Sequence, residues 1–296
     1  MQRILGIIAA LLALTVVARA EAAPPFAVTV EGKGPDVILI PGLASSQHVW
    51  DATAKDLAGR YRLHRVTLAG FAGTRAPEAP AAEGAVVAPF VEALSVYIEA
   101  NGLKAPAVIG HSLGGEAALM LAARHPAQVG RVLVVDALPF YTLLMNPAAT
   151  VESAKPQAAA MRDGLLRQAP EQARPMQEAV IARMAKTEAA RPALVEDGLA
   201  SDRKVVAAAV YELMTTDLRP ELGRIAAPLT VLYAWDPAYG APAEAFDTLF
   251  RGAYAAAPRA RLERVDGSFH FIMLDQPQAF RAAVERFLGE AEAKRP

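Results

Sequence analysis

The sequence predicts an α/β protein: a mainly parallel sheet with helices on both faces, interrupted late in the chain by an inserted helical cap. Three observations carry this. Short apolar runs alternate with helical periodicity from Phe26 to Asp136, strand patterning is lost over residues 138–226, and it returns at Pro228–Trp235. With 296 residues, 53% of them hydrophobic and 21% charged, the chain can bury a large core.

In order, Phe26–Val30 and Asp36–Ile40 read as two strands joined by the hairpin-like turn Glu31-Gly32-Lys33-Gly34-Pro35. The second run is apolar almost throughout, as befits a strand buried on both faces, and it ends at Pro41-Gly42-Leu43. A helix over Val49–Gly59, a strand over Tyr61–Leu68 and a Gly-, Ala- and Pro-rich loop to about Gly84 follow. Phe90, Leu94, Tyr97 and Ile98 recur at helical spacing, and Asn101-Gly102 ends that helix. Ala107-Val108-Ile109 and Arg131–Asp136 are the next strands. Residues 138–226, rich in Ala, Met, Glu and Arg, form the expected cap, and residues 21–137 and 227–296 form the core. After the strand Pro228–Trp235 come a helix near Pro242–Arg251, a weaker strand at Arg261–Val265 and an amphipathic C-terminal helix marked by Phe280, Val284, Phe287 and Leu288.

Met1–Ala20 has a basic start, an apolar run from Ile4 to Val17 and small residues at Ala18 and Ala20. This pattern predicts a signal peptide cleaved near Ala20 and a periplasmic or secreted protein. The run is shorter than the roughly 20 residues a spanning helix needs, so no stable membrane anchor is expected. Thirty basic against thirty-one acidic residues, with no basic block, argue against a nucleic-acid partner. The absence of cysteine excludes disulfides, thiolate metal sites and a Cys nucleophile. The five histidines lack metal-ligand spacing, and neither metal nor cofactor is expected.

The chemistry centres on Gly110-His111-Ser112-Leu113-Gly114-Gly115, set between an apolar strand and an Ala- and Leu-rich helix. Glycines flanking Ser112 remove the Cβ atoms that would obstruct so sharp a turn, which makes Ser112 a candidate nucleophile. A serine hydroxyl needs a base. Catalytic groups of an open α/β sheet collect beyond the carboxyl ends of its strands, and this selects His270, in the loop after the last strand. His48, His64 and His125 are better explained as structural or solvated, and His111 as shaping the turn. Two aspartates at strand ends compete to orient the base. Asp236, after the post-cap strand, is preferred; Asp136, before the cap, is the alternative, with a competing role as acceptor of backbone N–H groups. Asp275, before Gln276-Pro277, resembles a helix N-cap. The backbone N–H groups of Leu43 and Leu113 are the expected oxyanion donors.

Taken together, the loop at Pro41-Gly42-Leu43, the turn GHSLGG, an Asp after the post-cap strand and a His in the last loop resemble the α/β-hydrolase superfamily, specifically capped serine esterases and lipase-like members. The chain departs from the HGGG lipases, having Pro41 before Gly42 and Leu43-Ala44 after it. The resemblance implies a carboxylesterase-type hydrolase acting on a small apolar acyl substrate through an acyl-enzyme, with the cap over the pocket. Phe140, Tyr141, Leu144 and Met145 are the first candidates to line it. The same residues could serve a lactone, thioester, peptide or C–C bond, and a non-catalytic ligand-binding protein on this fold is the alternative of another class.

Overall fold

The computed structural model describes residues 25–77 and 85–292. The predicted signal peptide lies outside the described residues. Seven strands form one sheet: β1 (Phe26–Gly32), β2 (Asp36–Ile40), β3 (Arg62–Leu68), β4 (Ala107–His111), β5 (Arg131–Val135), β6 (Leu229–Trp235) and β7 (Arg261–Asp266), in the order β1-β3-β2-β4-β5-β6-β7. Every neighbouring pair is parallel except β1 with β3.

That order corrects the hairpin expected at the start. β1 pairs with β3, Phe26 opposite Leu68, and not with β2. Both sides of β2 are already taken by β3 and β4. The chain turns away through Gly32 and Gly34, both at positive φ, where a Cβ would meet the backbone oxygens of Tyr61 and Arg60 at 2.3 and 2.2 Å.

The helices are α1 (Asp51–Leu57), α2 (Val87–Ala100), α3 (Leu113–Arg124), α4 (Val151–Arg167), α5 (Pro170–Met184), α6 (Arg191–Ala200), α7 (Arg203–Thr215), α8 (Ala243–Ala253), α9 (Ile272–Asp275) and α10 (Pro277–Glu292). Strand alternation divides the core into two layers. Ile38, Ile40, Val108, Val132, Val134 and Val231 face one side and pack with α2, α3 and α8. Val37, Leu39, Ile109, Leu133, Val135 and Leu232 face the other, with α1, α9 and α10. This two-sided burial is why the central strands read as unbroken apolar runs.

Between β5 and β6 the chain inserts α4 to α7, and among the described residues this stretch contains no strand. Two carboxylates tie the insertion to the core. Glu212 on α7 accepts the backbone N–H groups of Val86, Val87 and Ala88 at 2.5, 2.7 and 2.9 Å, satisfying amides at the start of α2. Asp197 on α6 accepts from the Ser46 amide and hydroxyl at 2.9 and 2.6 Å. Among the described residues no helix is long and apolar enough to cross a membrane, and no group of His, Asp and Glu could hold a metal ion.

Candidate active site

β4 delivers Ser112 to the carboxyl rim of the sheet and α3 leaves from it. Ser112 sits at φ 54° and ψ −122°, a strained conformation for a residue with a side chain. Its amide donates to Val135 O at 2.9 Å, and its carbonyl accepts from Gly115 and Glu116. The strain is held by close backbone packing. A Cβ on Gly110 would lie 2.0 Å from Gly114 O, and one on Gly114 would lie 2.4 Å from Ile40 O. The spacing of glycines seen in the sequence is therefore a steric requirement of this turn.

The loop after β2 lies against the turn, for a Cβ on Gly42 would stand 3.1 Å from Ser112 Cβ. Leu43 follows Gly42, and Leu113 is the first residue of α3, where an amide has no partner within the helix. Both expected donors thus belong to segments that meet at Ser112.

His270 is half-buried in the loop between β7 and α9, and its Nδ1 lies 2.6 Å from Asp136 Oδ2. The other oxygen of Asp136 accepts the Ala234 amide at 2.8 Å. A proton on Nδ1 donated to the carboxylate leaves Nε2 as the basic atom. The carboxylate facing His270 is thus that of Asp136, which corrects the preference for Asp236. Asp136 takes φ 50° directly after β5, turning its side chain along the rim toward β6 and the returning His270 loop. Asp236 remains extended and caps the next turn, accepting Ala238 N at 2.9 Å and Lys186 Nζ at 2.6 Å. The Lys186 ammonium and then the Ala238 amide hold its carboxyl below the usual range. Asp236-Pro237 is a capping pair, a signal that was available in the sequence. The backbone-acceptor role considered for Asp136 is also present, alongside its bond to His270.

His111, fully buried, donates from Nε2 to His270 O at 3.0 Å, with its ring 4.5 Å from that of His270. Its Nδ1 lies against Gly42, where a Cβ would come within 3.0 Å. Burial, and then the neighbouring His270, push it well below the ordinary imidazole range, so it is neutral. It therefore links the turn, the β2 loop and the His270 loop, in keeping with the shaping role expected of it. Elsewhere His48 faces Asp51 at the surface, His64 in β3 bonds Asp36 and Tyr97, and His125 lies between Ser95 and Glu92.

The four pocket candidates separate. Tyr141 packs, as do Leu43, Leu165 and Val206, against the buried side chains of Ala158, Val210 and Met214, an apolar cluster joining the β2 loop to α4 and α7. Phe140 is fully buried in the core, with the Arg219 guanidinium 5.2 Å over its ring, while Leu144 and Met145 are exposed. On α7, Val206, Val210 and Met214 recur at helical spacing and present one face to this cluster.

Residues 37–283 match the model of the alpha/beta hydrolase family. The chain belongs to that family. It is 31% identical over 112 residues to a pimeloyl-[acyl-carrier protein] methyl ester esterase of Nitrosospira multiformis, a match spanning 37% of this chain and 41% of that relative. The esterase of the same name from Aromatoleum aromaticum is 29% identical over 271 residues, 85% of this chain and 97% of that one. A crystal structure of a hydrolase from Pseudomonas aeruginosa superimposes with a TM-score of 0.72 at 21% identity, covering 89% of this chain and 94% of the other, and is alike in fold.

Proposed function

We propose that this chain is a serine hydrolase that cleaves small carboxylic esters through an acyl-enzyme, with Ser112 as nucleophile, His270 as base and Asp136 as the acid that orients it. The 2.6 Å contact between His270 Nδ1 and Asp136, on the rim that carries Ser112, is the observation that supports this most. His270 Nε2 takes the Ser112 hydroxyl proton as Oγ attacks the ester carbonyl, and Asp136 stabilises the imidazolium that forms. The amides of Leu43 and Leu113 receive the developing oxyanion. The imidazolium then gives its proton to the departing alkoxide, and water, activated by the same imidazole, releases the acid and restores Ser112.

The apolar cluster of Ala158, Val210 and Met214, with Tyr141 and Leu43 packed against it, favours an uncharged acyl chain held beneath α4 and α7, which act as a cap. Two relatives that are methyl ester esterases favour an ester as the bond cleaved. The reading includes export, with cleavage near Ala20; the amino-terminal residue of the exported protein tests this part.

The purified protein is expected to hydrolyse a short-chain nitrophenyl ester and to be labelled at Ser112 by a fluorophosphonate. Ser112→Ala should lower kcat by about 10⁴-fold or more. Equal turnover by Ser112→Ala would refute the assignment, and a ligand bound with neither turnover nor labelling would mark a binding protein on this fold.

A further inference from the structure

Asp275 does not cap α10, the role its place before Gln276-Pro277 suggests. It closes α9, and its carboxylate gathers three backbone N–H groups from two separate parts of the chain. Phe269, in the loop that bears His270, donates to Oδ2 at 2.9 Å. From the turn after α5, Lys186 donates to Oδ2 at 3.0 Å and Thr187 to Oδ1 at 2.8 Å. The same two segments meet again in the Phe271 amide donating to Met184 O at 3.2 Å and the Thr187 hydroxyl donating to Leu274 O at 3.2 Å. Lys186 Nζ reaches both Asp236 and, at 3.4 Å, Gly267 O. Arg191 braces the turn from behind, donating to Ala185 O and Lys186 O.

The loop from Gly267 to Phe271 is neither helix nor strand, so its amides depend on such partners. It is held on one side by His111, through His270 O, and on the other by Asp275. A base displaced by about 1 Å loses on the order of a hundredfold in rate, so whatever fixes this loop fixes the reaction.

We propose that Asp275 is a positioning residue for His270, and that by sharing its carboxylate between the His270 loop and the Lys186–Thr187 turn it couples the inserted helices to the catalytic base. The proposal rests on His270 being the base. A movement of α5 and α6 that withdraws the turn strips Asp275 of two of its three donors, and the carboxylate then shifts with the turn or toward water. Either change loosens the Phe269 amide one residue from the base. Access beneath the insertion and readiness of the base are in this way one event.

The test compares full-length wild type with Asp275→Ala and Asp275→Asn in steady-state ester hydrolysis and in the rate of fluorophosphonate labelling at Ser112. Asp275→Ala is expected to lower kcat and the labelling rate tenfold or more with KM within threefold of wild type. Asp275→Asn, whose carbonyl still accepts, should recover at least part of the loss. A folded Asp275→Ala with kcat within twofold of wild type, or a loss confined to KM, would overturn the proposal. Should the variants fail to fold, amide hydrogen exchange of the wild type before and after phosphonylation decides it. Protection at Phe269 and at Lys186–Thr187 should change together, and a change in only one segment or in neither overturns the coupling. A wild type that is not labelled at all overturns the serine-hydrolase reading instead, whereas a labelled wild type beside an unimpaired Asp275→Ala overturns the coupling alone.

Discussion

The ends of β5 and β6 look alike in sequence and behave differently in the structure. Each strand delivers an aspartate to the same rim one residue past its last strand position. Asp136 turns back at positive φ, faces His270 and is steadied by the Ala234 amide. Asp236 stays extended, caps a short turn and is neutralised by Lys186. A carboxylate's role here is decided by the backbone angle at its own residue and by the partner that reaches it, not by its position at the end of a strand.

Between the two aspartates the larger expected effect is that of Asp136→Asn. The amide keeps the shape but places an N–H donor where His270 Nδ1–H must donate, and kcat should fall by about 10³–10⁴-fold. The comparison sharpens if Lys186→Met is added. With its ammonium partner gone, Asp236 still points at Ala238 N, so activity should not rise beyond about twofold that of Asp136→Asn alone. A tenfold recovery would break the comparison by showing the two acids to be interchangeable.

A third carboxyl marks the opposite extreme. Glu116, four residues beyond Ser112 on α3, is fully buried with neither oxygen hydrogen-bonded, and burial, with Glu212 adding repulsion, raises its pKa well above 4.5. The folded protein holds this proton while the unfolded chain loses it above about pH 4.5, so stability falls as pH rises from there toward the raised folded value. Glu116→Gln should therefore raise the unfolding midpoint, by more at pH 8 than at pH 5, as scanning calorimetry would record.

The smallest expected effect is that of Asp236→Asn. The Lys186 side chain is half exposed, so the ion pair contributes below about 1 kcal/mol. Because the folded pKa of Asp236 is depressed, that contribution is present above its ordinary value of 3.8 and fades as pH falls through the folded value. The stability gap from wild type should be greatest near neutral pH and close in acid, with turnover within threefold.

How much the sequence discloses follows from how local each signal is. The Ser112 turn is written in five consecutive residues because its steric demands are met by the glycines at 110 and 114. The central strands are equally plain, since burial on two faces makes them wholly apolar. The pairing of β1 with β3 depended on which edges β2 had already filled, which no local turn signal records. The choice between Asp136 and Asp236 depended on a single φ angle and on Lys186, fifty residues from Asp236 in the chain. Asp275 misled in the same way, for its three donors come from segments that sequence spacing does not bring together.

The pairing of His270 with Asp136 is tested most directly by proton NMR of the imidazole N–H. A short hydrogen bond from Nδ1 to a carboxylate gives a far-downfield resonance. This resonance should be present in wild type and in Asp236→Asn and absent from Asp136→Asn and from His270→Gln. Its loss in Asp236→Asn and survival in Asp136→Asn would contradict the account.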